Sequence, residues 1–494
     1  MQKKLPIFYS ALLLTGVNLL LRLVATSFQV FLSGRIGAAG IGLLQLVLSV
    51  GALALTVGMA GVRTATMYLT AEELGKKRSH NVSWVLSGCF LYSILCSGAV
   101  ALLIYLFAPW LAEIWVGDPR TADAIRLYGV FLPVVCLCGV MSGYFTAANQ
   151  IGTLAAVEVG EQLVYMAVTT ASLLFFAGTD PGKACQCVVL GSGISSCLTL
   201  ITLMVLRLRN QEQTGARIRV GKRLLHTAVP LGLGDTLKAG ISTAENLMVP
   251  KRLALFPGTA EPLALFGTVC GMVFPVMMFP AAIVFGLAEL LIPELARCNA
   301  AGSNKRIQYL VKRSLRIVLL YGLLMGGGEF LLADHLGMGL YKSPEASRYL
   351  RLYALLIPML YCDAITDAMV KGLGQQTYSV RYNILTSFMD VALLFILLPK
   401  YGMVGYFWSF LVTHAINFLL SLGRLKKVSG VGLDVTPVLK AGIASVAGVL
   451  VSSMATGPFI RAVAYIVVLG CALYLLGVVT KEDFHWLRSL IIRK

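Results

Sequence analysis

The chain has 494 residues, of which 57% are apolar and only 13% are charged. A soluble domain typically has about 25% charged residues, so this composition excludes a chain that covers its whole surface with water-facing charge. The formal net charge is +18. This charge raises the question of nucleic-acid binding, and the answer depends on where the basic residues lie.

Long apolar runs recur along the chain, and each can cross a hydrocarbon core of about 30 Å as a helix. The first run is too long for a signal peptide. A β-barrel would show segments of about ten residues with alternating polarity, and the sequence lacks that period. We therefore predict an all-α polytopic membrane protein. Its fourteen predicted spans are 7–33, 41–62, 83–108, 124–147, 152–178, 186–206, 224–250, 263–290, 308–332, 349–371, 378–398, 403–423, 437–456 and 459–479.

The loops between these spans divide the basic residues unequally. One alternate set begins with Lys3 and Lys4, continues through 63–78 and 207–223, and holds most of the 41 Lys and Arg. Such an excess marks cytoplasmic loops, so we predict that both termini are cytoplasmic. The basic loops then lie against anionic lipid, and no nucleic acid is needed to explain the charge.

Two stretches of the chain resemble each other, from Ser142 to Phe176 and from Val370 to Gly402. They cover spans 4–5 and 10–11, so the offset of six spans preserves orientation. Two parallel halves of six helices are a common transporter plan. The predicted parts are an N-lobe (1–206), a basic cytoplasmic linker (207–223), a C-lobe (224–424), two additional spans (425–480) and a cytoplasmic amphipathic tail (481–494).

Ionisable groups within the spans are the candidates for a binding site, because each costs several kcal/mol at membrane depth unless it faces a cavity or a partner. Basic groups lie in the first span of each half, where they would suit an anionic substrate such as a phosphate or pyrophosphate. Asp235 and Lys238 can also pair with each other. The alternative is that Arg22 snorkels or braces a carbonyl and that the pair at 251–252 sits at the outer interface. The predicted substrate-binding residues are Arg22, Asn18, Lys238, Asp235, Glu245, Lys251 and Arg252.

Carboxylates within the spans could instead carry a coupling ion. The predicted ion-coupling residues are Asp363, Asp367 and Glu161. They would couple transport to an H⁺ or Na⁺ gradient or to the membrane potential. The alternative is hydrogen bonding between helices, or an ion pair between Asp367 and Lys371 at i+4. The dispersed histidines and cysteines predict no metal site, and the sequence has no Walker A motif. We therefore predict a transporter without a cofactor, not an enzyme.

Several segments resemble the multidrug/oligosaccharidyl-lipid/polysaccharide exporter superfamily, and within it the stage V sporulation protein B and polysaccharide flippase group. The segments are NLLLRLVATSFQVFLSGRIGAAGIGLLQL from Asn18, GMAGVRTATMYLTAEE from Gly58, GYFTAANQ…EQL from Gly143, NLMVPKRL from Asn246 and KGLGQQ…LLPKYGMVGY from Lys371. The resemblance covers essentially the whole chain. It implies two six-helix lobes around a central cavity that opens alternately to each side of the membrane.

The resemblance also implies a substrate and a role for one arginine. The substrate would be a lipid-linked saccharide, such as a peptidoglycan precursor for spore cortex or cell wall. Arg22 matches the arginine that lipid II flippases of the superfamily place in the cavity from their first helix. Those flippases have a second arginine six residues later, where this chain has Phe28. Because Phe28 cannot bind an anion as an arginine does, Lys238, Lys251 and Arg252 would contribute more of the anion binding.

Three functions remain open from the sequence. The first is a flippase for a lipid-linked, pyrophosphate-bearing saccharide. The second is a cation-coupled multidrug exporter of the same superfamily, and the third is a non-transporting scaffold for cell-wall or sporulation enzymes. Basic groups within the spans and the two additional spans favour the flippase. The expected partners of a monomeric chain in a bacterial cytoplasmic membrane are a lipid-linked oligosaccharide, membrane lipids and cell-wall synthesis proteins.

Overall fold

The computed structural model describes residues 7–76, 78–178, 180–209, 220–259, 261–432 and 434–479. Within these ranges the chain forms helices and turns and no strand. This confirms the predicted all-α fold. The predicted amphipathic tail and most of the predicted linker, at 210–219, lie outside the described residues.

The chain divides into two compact units, Met1–Gly271 and Met272–Lys494. The helices of unit 1 are α1 (Ile7–Met59), α2 (Val62–Gly75), α3 (Val82–Trp110), α4 (Ala122–Ala147), α5 (Ile151–Ser172), α6 (Pro181–Arg209), α7 (Gly221–Leu253) and α8 (Pro262–Thr268). Those of unit 2 are α9 (Phe274–Met278), α10 (Ala281–Ala300), α11 (Asn304–Tyr341), α12 (Pro344–Tyr353), α13 (Ile357–Gly372), α14 (Gln376–Ser429), α15 (Thr436–Ser453) and α16 (Pro458–Leu475). The predicted boundary between the two lobes, at 206–224, was placed from the sequence repeat and stays a prediction.

Within the described residues, ten helices are long and apolar enough to cross a membrane, or eleven if the bent pair Pro262–Met278 and Ala281–Ala300 counts as one span. The predicted number of fourteen is therefore not confirmed. Part of the difference lies in α1 and α14, which have 53 and 54 residues. A straight helix of that length would measure about 80 Å, far more than a hydrocarbon core. Each is two helices that meet at a non-helical glycine, Gly37 in α1 and Gly402 in α14.

The predicted cytoplasmic loop after span 2 is largely helical, which corrects its assignment. Arg63 lies in α2 instead of a loop. The helix forms there because Val62, Ala65 and Leu69 make one apolar face, which is buried in the core shared by α2, α3, α4 and α7.

Close backbone packing holds the start of α2 against α7. Gly61 has a φ of 73°, which glycine adopts without strain. A Cβ added at Gly232 of α7 would lie only 2.6 Å from the carbonyl carbon of Ala60. Glycine at position 232 is therefore required for this crossing.

Helices α15 and α16 of unit 2 pack against α11. The Tyr465 hydroxyl lies at the centre of this contact, 2.8 Å from the Leu323 carbonyl oxygen and 3.0 Å from Ser445 Oγ. Tyr465 is fully buried in an apolar cluster with Leu331 and Ala444. The segment predicted as two additional spans thus forms part of the core of unit 2.

Candidate functional site

Helix α7 carries three of the candidate basic residues of unit 1, and Ser49 of α1 fixes its position. Thr243 donates a hydrogen bond to the Ser49 carbonyl oxygen at 3.1 Å, and Asn246 Nδ2 donates to Ser49 Oγ at 3.0 Å. These bonds satisfy polar groups that lipid could not. They hold the last turns of α7, which end in Lys251 and Arg252, beside α1.

Lys251 and Arg252 line a single cavity of about 360 Å³ in unit 1. Lys251 Nζ donates to the Ile114 carbonyl oxygen, which ties the end of α7 to the turn after α3. The rest of the wall is apolar or weakly polar and consists of Leu53, Trp115, Gly240, Thr243, Ala244, Leu247 and Met248. The cavity thus combines two cationic groups with an apolar wall and an indole ring, which suits an anion attached to an apolar chain.

The other basic candidates do not line this cavity. Arg22 is half-buried on α1 and takes part in interactions of its own. Lys238 is exposed on α7, about three and a half turns before the cavity's basic pair. The backbone of Asn18 is described within α1, but its side chain is not.

The predicted pairing of Asp235 with Lys238 is wrong. Both side chains are described and exposed, and no ion pair joins them. Both can instead be solvated separately, and an exposed pair at this spacing would contribute only a few tenths of a kcal/mol. Glu245, half-buried one helical turn before Val249, takes part in an interaction of its own.

Phe28 stands at the position where the resemblance to the lipid II flippases implies a second arginine. The side chain is only 5% exposed. Its ring packs edge-on against Tyr165, with the centroids 5.4 Å apart, and stacks on Phe31. This position belongs to an aromatic cluster between α1 and α5.

Unit 2 contains a second candidate site around Asp363 of α13, one of the predicted coupling residues. His414 Nδ1 lies 2.8 Å from Asp363 Oδ2, and Asn417 Nδ2 donates to Asp363 Oδ1 at 2.9 Å. Both partners come from the second half of α14. The carboxyl group is buried, so these two contacts supply its stabilisation in place of water.

A second carboxyl group, Asp390, lies beside the same stretch of α14. Its Oδ1 accepts hydrogen bonds from Ser409 Oγ at 2.5 Å and from Thr413 Oγ1 at 3.4 Å. The helix therefore presents one polar face to two buried carboxyl groups.

This polar face of α14 was not predicted from the sequence, although the spacing of its polar residues indicates it. Polar residues recur there at every fourth position in an otherwise apolar helix, which places them on one side. All four are buried, and they are Ser409, Thr413, Asn417 and Ser421. The histidines are far apart in the sequence and were judged only by that spacing. His414 was therefore not predicted as a site residue.

The two other predicted coupling residues have structural partners. Asp367 pairs with Lys371 Nζ at 2.6 Å, as the alternative interpretation expected, and accepts hydrogen bonds from Ser379 and Asn383. Glu161 Oε1 accepts a hydrogen bond from Ser196 Oγ at 3.0 Å, which links α5 to α6. Within the described residues, no group of three or more His, Cys, Asp or Glu could hold a metal ion.

Comparison with known proteins identifies a matching family model and a similar protein. The MatE family model matches residues 14–178. Stage V sporulation protein B of Bacillus subtilis (strain 168) is 21% identical over 441 residues, which cover 86% of this chain and 84% of that protein. The resemblance to the multidrug/oligosaccharidyl-lipid/polysaccharide exporter superfamily is confirmed.

Two solved structures share the fold of this chain. The lipid II flippase MurJ in an inward closed conformation matches with a TM-score of 0.68 at 13% identity, covering 97% of this chain and 100% of that chain. An inward-facing multidrug resistance MATE family transporter matches with a TM-score of 0.66 at 14% identity, covering 85% of this chain and 100% of that chain. The chain therefore has the fold of these two solved transporters, and ten of its described helices are long and apolar enough to cross a membrane.

Proposed function

We propose that the protein is a flippase that moves a lipid-linked, pyrophosphate-bearing saccharide across the bacterial cytoplasmic membrane by alternating access. The observation that carries this proposal is the cavity of unit 1, where Lys251 and Arg252 meet an apolar wall and Trp115. Guanidinium and ammonium groups bind phosphate oxygens through charge-assisted hydrogen bonds. An indole ring offers the stacking surface that sugars and isoprenoid chains can use.

Two similarities support a lipid-linked substrate. The likeness to the lipid II flippase extends over 97% of the chain, compared with 85% for the multidrug transporter. A sporulation protein also aligns with most of the chain. Peptidoglycan precursors for spore cortex or cell wall are therefore the substrates to test first. The proposal also includes cytoplasmic N- and C-termini and cell-wall synthesis proteins as partners.

Reconstitution with labelled substrate tests the proposal. Proteoliposomes would contain fluorescent lipid II, and a membrane-impermeant quencher would report the fraction that reaches the outer leaflet. We expect the wild-type protein to make all the label accessible, and the double variant Lys251→Gln/Arg252→Gln to lose most of this activity. Lys183→Gln is the matched control, because Lys183 is also basic and exposed in unit 1 but does not line the cavity.

A cation-coupled multidrug exporter is the second candidate function. The buried carboxyl groups Asp363 and Asp390 favour it, because such exporters need acidic groups to exchange a cation for a cationic drug. The same proteoliposomes distinguish the two functions. Accumulation of a cationic dye such as ethidium, with no movement of labelled lipid II, would reject the flippase and support the exporter.

A further inference from the structure

The basic cavity of unit 1 lies at the end of α7 that the predicted topology places on the extracytoplasmic side. α7 has 33 residues, so it is about 50 Å long, and its first turn belongs to the predicted cytoplasmic linker. Lys251 and Arg252 lie in its last turn. Since a hydrocarbon core is only about 30 Å thick, the predicted topology puts both cations at the outer boundary of the membrane.

Lys251 is held at the cavity by a carbonyl group that has no helical donor. The Asp118 N–H bonds to the Ala112 carbonyl oxygen. Pro119 has no N–H, so neither of these two residues donates to the Ile114 carbonyl oxygen. Lys251 Nζ donates to it instead. An ammonium group has three N–H donors, and the side chain is exposed, so it can also bind a phosphate on its open side.

The wall that continues from the two cations is apolar. The lining residues of α7 extend from Gly240 to Arg252, which is about 18 Å along the helix axis. The apolar side chains of the lining are Leu53, Ala244, Leu247 and Met248. An apolar chain can therefore lie along α7 with a charged end at the cations, and it leaves water when it does so.

Few groups in this cavity can recognise a saccharide. Thr243 is the one described lining residue with a hydroxyl group, and it already donates to the Ser49 carbonyl oxygen at 3.1 Å. Sugar hydroxyls that leave water need hydrogen-bond partners. The volume of about 360 Å³ is also at the lower end for a ligand site. The lining therefore fits a phosphate group on an apolar chain better than a sugar.

We propose that this cavity binds the diphosphate and the adjoining chain of an isoprenoid lipid at the outer leaflet, and leaves the saccharide in water. Lys251 and Arg252 bind the diphosphate oxygens, and the apolar wall holds the chain beside Trp115. The indole ring is supported by Trp110, with the ring centroids 6.0 Å apart. Among the described residues no carboxyl group lines the cavity, so the lining itself adds no repulsion of the anion.

This mode of binding has a consequence for regulation, which rests on the proposed function. Glycosyl transfer at the outer leaflet removes the saccharide from the transported lipid and leaves the isoprenoid diphosphate. Both lipids carry the groups that the cavity binds. The isoprenoid diphosphate should therefore compete with the transported lipid and slow its release when it accumulates on the outer side.

Tryptophan fluorescence of the full chain in detergent micelles tests the binding step without transport. The probe is farnesyl diphosphate, which has the diphosphate and a short isoprenoid chain but no sugar. The chain has five tryptophans, and we expect a saturable change in emission that Trp115→Phe removes. Lys251→Gln/Arg252→Gln should raise the Kd about tenfold or more. Lys183→Gln, at an exposed lysine that does not line the cavity, should leave the Kd unchanged.

A second variant separates ligand binding from the contact between Lys251 and Ile114. Ala244→Phe narrows the apolar wall and keeps both cations, so it should weaken the binding of farnesyl diphosphate but not that of inorganic pyrophosphate. Phosphatidylglycerol in the micelles tests for a general site for anionic lipids. We expect it not to displace farnesyl diphosphate, because its single phosphodiester offers less charge to the two cations.

Three results would overturn the proposal. The first is an equal Kd for the wild-type protein and Lys251→Gln/Arg252→Gln, and the second is displacement of farnesyl diphosphate by phosphatidylglycerol. The third is binding of lipid II without binding of farnesyl diphosphate, which would show that the saccharide is required. If farnesyl diphosphate binds as expected but labelled lipid II does not move in proteoliposomes, only the proposed function fails.

Discussion

His414 Nδ1 lies 2.8 Å from Asp363 Oδ2, although the two residues are 51 positions apart in the chain. Together with Asn417 Nδ2, which donates to the other oxygen, this contact joins α13 to the second half of α14. The pair is therefore both a packing element of unit 2 and the core of its polar site.

Removing the Asp363 carboxyl group should destabilise unit 2. In Asp363→Ala the Asn417 amide loses a buried acceptor, and an unsatisfied buried group costs about 1–3 kcal/mol. We expect a clearly lower thermal unfolding midpoint in detergent. Asp235→Ala is the control, because Asp235 is exposed and forms no ion pair with any described residue, so its change should stay within about 0.5 kcal/mol. Equal midpoints for both variants would show that the Asp363 contacts contribute nothing to stability.

Arg22→Ala and Lys238→Ala should each abolish flipping of labelled lipid II with little loss of folded protein. The physical reason is that a pyrophosphate crossing the membrane needs cationic partners to replace its hydration. The assay is the quencher measurement in proteoliposomes, with yield and gel-filtration profile as the check on folding. Lys183→Ala serves as the control. Full activity in both variants would show that neither Arg22 nor Lys238 is needed to bind the pyrophosphate.

Gly232→Ala should disturb the crossing of α7 with the start of α2. The added Cβ would meet the backbone of Ala60, which cannot move aside as a side chain can. Overpacking of this kind costs about 1–3 kcal/mol, seen as a lower unfolding midpoint. Gly234→Ala, two residues further along the same helix, adds a Cβ with nothing within 4 Å. A midpoint that falls equally in both variants would attribute the effect to α7 itself and not to the crossing.

The distribution of basic residues predicts orientation. Single cysteines at Arg78 and Arg217, in a chain whose 11 native cysteines have been replaced, should react with an impermeant maleimide only from the cytoplasmic side. Arg217 lies outside the described residues, so this prediction rests on charge alone. Labelling of both positions from outside intact cells would reverse the predicted topology.

Asp118 should make a pH-dependent contribution to stability. Its carboxylate pairs with Arg120 Nη2 at 2.6 Å and accepts from the Arg120 backbone N–H. The hydrogen bonds from the Arg120 side chain hold the pKa of Asp118 below its ordinary value. Since the folded-state pKa is lowered, the stabilisation is complete above the unfolded-state pKa and is lost as the pH falls through the folded-state value.

The measurement for Asp118 compares unfolding midpoints of the wild-type protein and Asp118→Asn. We expect the variant to be less stable by about 0.5 kcal/mol near pH 7, and this difference to shrink as the pH falls through the lowered folded-state pKa of Asp118. Arg126→Gln, which removes a more exposed ion pair with Asp123, is the control for a general effect of charge. A difference between wild type and Asp118→Asn that persists at low pH would contradict the assignment.

The sequence by itself determined the class of the protein and the contacts that are local in the chain. Long apolar runs specify helices, because a backbone in lipid can satisfy its polar groups only within its own segment. The pairing of Asp367 with Lys371 could likewise be anticipated, since residues four apart lie on the same face of a helix. The resemblance to the exporter superfamily also came from the order of short segments.

Only the tertiary structure decided which distant residues meet. Helical periodicity fixes the face on which Asn417 and His414 lie, but not that α13 packs against it with Asp363. In the same way, the chain alone did not reveal that Val62–Gly75 continues as a helix, or that Phe28 is enclosed by Tyr165. These contacts depend on the packing of helices that are far apart in the chain, where shape complementarity selects the partner. The polar site of unit 2 results from this packing.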